Sequence, residues 1–387
     1  MRTPSGSRCR YCPTSTATTN NRSMAEFSRE DHEFMARALR LARQGVYTAH
    51  PNPRVGCVLV AGGVVVGEGW HRKTGEAHAE INALAEAGAR ARGSTAYLTL
   101  EPCSHHGRTP PCTEALVAAG VKRVVWAMPD PNPQVDGQQP LHDAGVETAA
   151  GLLQAEALQL NRGFVSRVQT GRPFVTLKLA SSLDGATAMA SGESQWITGP
   201  AARRDVQAQR ARSGAVLTGI GTVLDDDPSL TVREPSIDTG GRQPLRVVLD
   251  SRLRTPPESR MFREPGQTLL VCGTDDNRQA LEARGAEVLC LPGNGSGVDL
   301  GAVLDALGER EVNDLLLECG PTLAGAWLTA GLVDELVIYQ APHIMGSETQ
   351  SMVRTPEWRA LDQRLQLRIT DVRAIGGDMR ITALPES

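Results

Sequence analysis

His78-Ala79-Glu80, followed by Pro102-Cys103 and then by Pro111-Cys112, brings two thiols, one imidazole and one spare carboxylate into a short stretch of chain. A catalytic zinc needs three protein ligands and an open fourth position. His78, Cys103 and Cys112 make such a set, for one zinc per chain, and leave Glu80 free of the metal. Zinc lowers the pKa of a bound water to about 7, and a carboxylate two residues past the histidine is placed to carry protons for it. The pattern H-x-E…P-C-x-x-C marks zinc nucleobase deaminases, in which the glutamate is an acid–base group and not a ligand. One departure stands out: eight residues separate Cys103 from Cys112 where the common form has two.

Taken singly, these residues are unremarkable, since a buried Cys is usually a small apolar side chain. Their setting decides for a metal. Ser94–Glu101 reads as a strand that Pro102 ends, with Cys103 at its tip. Pro111 stands where a helix begins, and Cys112 opens the apolar stretch Glu114–Ala119. His78 opens a second helix, expected over Ala79–Ala89. Two helix N-termini facing one strand end make a positive, donor-rich pocket suited to thiolates.

Outward from this stretch the chain alternates strands and helices. Ser28-Arg-Glu-Asp31 has capping-box chemistry ahead of a helix through Ala42. Val55–Val60 and Val64–Gly67 are strands joined by Gly-Gly, with Cys57 in the core, and Arg123–Ala127 is a further strand. The alternation predicts a three-layer α/β domain. One linking helix is expected over Leu152–Val168, and Thr170-Gly-Arg-Pro173 is a natural boundary. Beyond it the strands are Phe174–Ala180, Ala215–Thr218, Leu245–Asp250, Thr268–Cys272, Asp314–Glu318 and Glu335–Tyr339, with helices between, so the second unit is α/β too. The expected division is 1–24, a disordered extension; 25–170, a zinc deaminase domain; and 171–387, a second α/β domain. Cys9-Arg-Tyr-Cys12 has zinc-ribbon spacing but no second pair nearby, and Met24 is a plausible start.

Lys plus Arg number 40 against 44 Asp plus Glu, a net charge of −4 that argues against a general nucleic-acid binder. No apolar run approaches the roughly 18 residues of a membrane span. Eight cysteines in 387 residues are no disulfide framework, so a cytoplasmic enzyme is expected. The expected partners are small molecules and further copies of the chain in a homo-oligomer, with neither nucleic acid nor membrane.

Long motifs add a resemblance. Pro51-Asn-Pro-Arg-Val-Gly-Cys57, Gly69–Glu80 and Thr99–Cys112 in the first half, and Lys178–Gly185, Ser191–Thr198, Asp226–Arg233 and Glu318–Gly325 in the second, resemble the riboflavin-biosynthesis pyrimidine deaminase–reductase family. The resemblance runs from about residue 27 to the C-terminus. It implies a cytidine-deaminase-like three-layer α/β/α domain followed by a dihydrofolate-reductase-like α/β domain. It also implies a phosphoribosyl diaminopyrimidine as substrate, hydrolysis of its exocyclic amine, and reduction of the ribosyl chain to ribityl by NADPH. Carried over residue by residue, Ala180, Trp196, Thr222, Asp226 and, less firmly matched, Ser251 line the cofactor. Gly320, Pro321, Thr322, Leu323, Ala324, Gly325 and Ala326 surround its phosphates, where backbone N–H groups at the start of a helix Ala324–Ala330 would bind a pyrophosphate. No G-x-G-x-x-G follows an early strand, so an ordinary Rossmann fingerprint is absent.

Ser194, Arg210, Leu230, Arg233 and Glu318 are carried over as reductase substrate contacts, with Arg210 and Arg233 the natural phosphate partners; Lys178 is a candidate for proton transfer. Asn52 and His71 are expected at the pyrimidine, and His105, Arg108 and Thr109 lie in the extra residues before Cys112, a loop long enough to close over a ribose phosphate. Arg203, Arg204, His50, His106 and His142 read as ordinary surface or packing residues. Two rivals compete. A nucleic-acid editing deaminase lacks support from the acidic charge, and a structural zinc module would need a fourth protein ligand and would have no use for Glu80.

Overall fold

Ser28 starts the first element: its hydroxyl accepts the Asp31 N–H while the Asp31 carboxylate accepts the Ser28 N–H. This reciprocal pair satisfies two donors that a helix start leaves free, and α1 runs Arg29–Gln44. The structure, a computed structural model, describes residues 27–104, 110–274, 277–293 and 297–386. The N-terminal extension with Cys9 and Cys12, and the loop residues His105, His106, Arg108 and Thr109, lie outside the described residues.

Strands β1 (Gly56–Ala61) and β2 (Val64–Trp70) form an antiparallel hairpin. Gly62 and Gly63 turn it, both at positive φ as such a two-residue turn requires. Then come α2 (Ala79–Ala87), β3 (Thr95–Leu100), α3 (Cys112–Ala118), β4 (Arg123–Met128), α4 (Gln138–Asp143) and β5 (Glu147–Ala150). The sheet order is β2-β1-β3-β4-β5, with β3, β4 and β5 parallel. Two glycines show how the layers close on it. A Cβ on Gly56 would meet Ala38 O of α1 at 2.1 Å, and one on Gly69 would meet Ala79 O of α2 at 2.2 Å. Cys57 pairs with Gly69 and so shares its face, while Gly56 lies on the other. Hence α1 and α2 cover opposite faces of the sheet.

The expected single linking helix is two, α5 (Gln154–Leu160) and α6 (Arg162–Thr170), broken at Asn161. The reason is a buried contact: the Asn161 amide accepts the Arg54 backbone N–H at 2.7 Å and donates to the Arg54 carbonyl at 3.0 Å. The helix after His78 also ends early, at Ala87, and continues as a tight turn over Gly88–Ala91.

The second unit adds β6 (Phe174–Ser181), β7 (Ala186–Ala188), α7 (Pro200–Arg212), β8 (Ala215–Gly219), α8 (Ile220–Asp226), β9 (Leu245–Leu249) and β10 (Thr268–Cys272). It continues with α9 (Arg278–Glu282), β11 (Ala286–Cys290), α10 (Leu300–Glu309), β12 (Asp314–Glu318), α11 (Pro321–Thr329), β13 (Glu335–Gln340), β14 (Gln350–Ser351), β15 (Gln366–Ile375) and β16 (Asp378–Glu386). Nine strands order as β11-β10-β9-β8-β12-β6-β13-β16-β15; all pair in parallel except the C-terminal hairpin. Helix α11 begins at Pro321, not at Ala324, because Pro at the first helical position is already set for helical φ. Among the described residues, no helix is long and apolar enough to cross a membrane.

A buried charge cluster joins the two units. Arg54, from the segment before β1, donates to the Asp314 carboxylate at 3.1 Å and to the carbonyls of Leu160 and Arg212. Both side chains of this pair are almost wholly buried. Burial alone would raise the Asp314 pKa, but Arg54, Arg212 and Arg162 hold it below its ordinary value. His50, at the same junction, is pushed down to about 3, chiefly by burial, and packs against Gly214. Removing one member of a buried ion pair strands the other, at about 3–5 kcal/mol. Asp314→Ala should therefore lower unfolding stability by about that amount in guanidinium titrations; a change within ~0.5 kcal/mol would mean the cluster does not hold the units together.

Candidate active sites

His78 is the N-cap residue of α2, Cys112 the first residue of α3, and Cys103 stands just past the end of β3. The His78 Nδ1 atom lies 3.2 Å from Cys112 Sγ and 3.7 Å from Cys103 Sγ. All three ligand atoms fall within 4.8 Å of one another. A tetrahedral zinc with metal–sulfur bonds of about 2.3 Å and metal–nitrogen bonds of about 2.0 Å would set such edges at roughly 3.5–3.8 Å. The donor set fits. The Cys103 thiol is held down to about 4, chiefly by the hydrogen bond from Cys112, and Cys112 is pushed up by the same contact and by burial.

Glu80 sits in the first turn of α2 and is buried. Burial pushes its carboxyl above the ordinary value, the shift a proton carrier near neutral pH needs. His71 and Asn52 meet, Nε2 to Nδ2 at 3.0 Å, and His71 Nδ1 contacts the Ala77 carbonyl at 3.2 Å. The carbonyl can only accept, so Nδ1 carries the hydrogen and Nε2 accepts from Asn52. Burial keeps this ring neutral by lowering its pKa.

Asn52, His71, His78, Glu80 and Cys103 together line a cleft of about 560 Å³. Glu101, Asp130 and Asn132 also line it, and motif reading did not single them out. Their signal was available: Pro129-Asp-Pro-Asn-Pro-Gln134 follows β4, where turn residues at a parallel strand end mark a ligand crevice. Phe164, Arg167, Val168 and Glu311, which complete the wall, carry no local motif.

In the second unit the expected residues lie in or after the C-terminal halves of β6, β8, β9 and β12, with Arg210 in α7. Lys178 and Glu318 face each other in the β6–β12 register. Glu318 accepts from Arg210 Nε at 2.6 Å and Nη2 at 2.9 Å, and Arg210 Nη1 donates to Thr231 O. Burial would raise the Glu318 pKa, yet Arg210 and Lys178 hold it low; burial lowers that of Lys178. Arg210 is thus committed to Glu318, whereas Arg233 is exposed. The Leu230 side chain packs with Val216 and Leu316 in the core. Ser194 and Trp196 belong to the segment before α7, which Gln195 ties to Asp226 of α8 at 2.9 Å. Thr222 is in α8, Ala180 near the end of β6, and Ser251 just past β9. Arg203 is no idle surface charge: it stacks over Trp196 at 4.6 Å and donates to Thr198 O.

Gly320 caps α11 with no side-chain hydrogen bond, and a Cβ there would meet nothing within 4 Å. Gly325 differs. Its Cβ would fall 1.6 Å from Arg354 O, so glycine at 325 is required by chain packing and not by room for a phosphate.

Two family models match this chain, the cytidine and deoxycytidylate deaminase zinc-binding region over residues 28–128 and the RibD C-terminal domain over residues 173–381. The riboflavin biosynthesis protein RibD of Escherichia coli (strain K12) is 50% identical over 361 residues, covering 90% of this chain and 98% of that protein. The chain belongs to the RibD family. RibD of Haemophilus influenzae is 45% identical over 374 residues, 94% of this chain and all of its own length. Among solved structures, Acinetobacter baumannii RibD superposes with a TM-score of 0.86 at 45% identity, covering 92% of this chain and 99% of that one. A Thermotoga maritima diaminohydroxyphosphoribosylaminopyrimidine deaminase/5-amino-6-(5-phosphoribosylamino)uracil reductase gives 0.82 at 32% identity, with the same coverage. RibD membership makes the chain a bifunctional enzyme of riboflavin biosynthesis, with a zinc-binding deaminase region and a reductase domain.

The ligand geometry separates metal binding from proton transfer. By elemental analysis, Cys112→Ser should lose most of about one zinc per chain, while Glu80→Gln should keep it. Full zinc in the serine variant would overturn the ligand set.

Proposed function

We propose that the unit spanning 25–170 hydrolyses the exocyclic amine of 2,5-diamino-6-(5-phospho-ribosylamino)pyrimidin-4(3H)-one. The unit spanning 171–387 then reduces the ribosyl chain of the resulting 5-amino-6-(5-phosphoribosylamino)uracil to ribityl with NADPH. One observation carries the first step: a buried carboxyl, Glu80, beside a three-ligand site in a cleft of about 560 Å³. His78, Cys103 and Cys112 would hold a zinc, which when bound supplies an activated water at an open position. Glu80 takes a proton from the attacking water and passes it to the ring nitrogen, then takes the second from the newly attached hydroxyl and passes it to the departing amine. Neutral His71 turns the Asn52 amide, leaving its oxygen to accept from the pyrimidine. His105 and Arg108 are assigned to the loop over the ribose phosphate.

For the second step, the uncapped start of α11 at Gly320–Thr322 supports a pyrophosphate site, since free N–H groups there favour an anion. Leu323, Ala324 and Ala326 follow in the same turns, with Ala180, Trp196, Thr222, Asp226 and Ser251 assigned to the rest of the cofactor. NADPH supplies the hydride when bound. Glu318, steadied by Arg210, and Lys178 are assigned to orienting the substrate and moving a proton. Arg233, whose side chain is exposed, is the phosphate partner; Ser194 is assigned to the same substrate, and Leu230 through its backbone, since its side chain lies in the core.

Glu80→Gln should slow deamination by about 10² to 10⁴ yet still oxidise NADPH when given the deaminated pyrimidine. Gly320→Val, which fits the fold, should raise the KM for NADPH and leave deamination unchanged. Absorbance assays with each pyrimidine check both; loss of reduction in a folded Glu80→Gln protein would refute the two-site reading.

A further inference from the structure

The first unit does not enclose the deaminase cleft alone. Arg167 and Phe164 come from α6 at the end of the first unit, but Glu311 comes from the second unit, in the turn ahead of β12. Charge in the lining is unevenly divided. Glu76, Glu80, Glu101, Asp130 and Glu311 bring carboxyl groups, whereas Arg167 is the one lysine or arginine among the described lining residues. A phosphate monoester entering this cleft needs charge-assisted donors, and a guanidinium offers them as a planar fork.

The Arg167 side chain is already braced for such a contact. Its Nε donates to Asn313 Oδ1 at 2.6 Å, and its guanidinium carbon lies 5.9 Å from the centre of the Phe164 ring. Neither terminal nitrogen makes a hydrogen bond among the described residues. Asn313 is itself anchored, donating from Nδ2 to Pro51 O at 2.7 Å, next to Asn52 of the same cleft. Glu311 is near enough to act on the Arg167 charge but does not hydrogen-bond to it among the described residues.

We propose that Arg167 binds the phosphate of the deaminase substrate, and that Asn313, a residue of the reductase unit, positions it. The inference rests on the phosphorylated pyrimidine assigned above. Asn313 therefore acts on deamination from the far side of the domain junction, without touching substrate.

The test compares the phosphorylated diaminopyrimidine with its dephosphorylated counterpart in the zinc-loaded full chain. Arg167→Gln should lower kcat/KM for the phosphorylated compound about 10- to 100-fold, chiefly through KM, and change turnover of the dephosphorylated one by less than about threefold. Arg167→Lys should recover most of that loss, and Asn313→Ala should show a smaller loss with the same preference. Zinc content and NADPH oxidation with the deaminated pyrimidine should match wild type. Equal losses on both compounds, or no loss in Arg167→Gln, would overturn the proposal while leaving the substrate assignment standing. A wild-type protein that fails to deaminate the phosphorylated pyrimidine would overturn the assignment itself, and this inference with it.

Discussion

The Asp314 carboxylate occupies the first position of β12, inside the nine-stranded sheet, and it receives Arg54 from the segment leading into β1 of the other sheet. Neither charge is tolerable in that interior without the other. The pairing brings more than itself. Arg54 also fastens its backbone to Asn161, which breaks the linking helix and sends α6 along the junction. Arg162 of α6 then pairs with Glu335 at the start of β13. Two ion pairs, Arg54–Asp314 and Arg162–Glu335, thus lock the relative placement of two units that each have their own apolar core.

The same junction bears on chemistry. The segment Glu311–Asp314 supplies a cleft wall, a brace for Arg167 and the anchor for Arg54. The reductase side keeps a different arrangement, with Glu318 of β12 held between Arg210 of α7 and Lys178 of the neighbouring β6. Two buried carboxyl groups are therefore tuned in opposite directions. Glu80, with no cationic hydrogen-bond partner among the described residues, is raised by burial, and Glu318, gripped by arginine, is lowered despite it. The first suits a group that must gain and lose a proton; the second suits a fixed negative charge.

Local patterns were legible in the chain because local physics wrote them. Ser28 and Asp31 announce a helix start, Gly62-Gly63 a hairpin, and His78, Glu80, Cys103 and Cys112 a metal pocket, each through neighbours a few residues away or a fixed motif. What the chain concealed depends on distant partners. Asn161 breaks a helix for the sake of Arg54, and Arg167 looks like any helical arginine until Asn313 and the cleft stand beside it. Strand β15 escaped notice because most of its side chains are exposed at the sheet edge, where no apolar run is needed. Gly325 was legible as a glycine that mattered, but the close neighbour is a backbone carbonyl.

Gly69 carries a consequence for how activity responds to change at a distance. It touches none of the metal ligands, yet the contact of α2 with its bare backbone determines how deeply that helix lies against the sheet. His78 and Glu80 ride on the first turn of α2, while Cys103 hangs from the strand side. A single methyl group at Gly69 would act as a wedge under the helix, lifting imidazole and carboxylate together away from the thiol. A survey of substitutions scored by turnover alone would rank this strand glycine beside the ligands, although its role is that of a spacer.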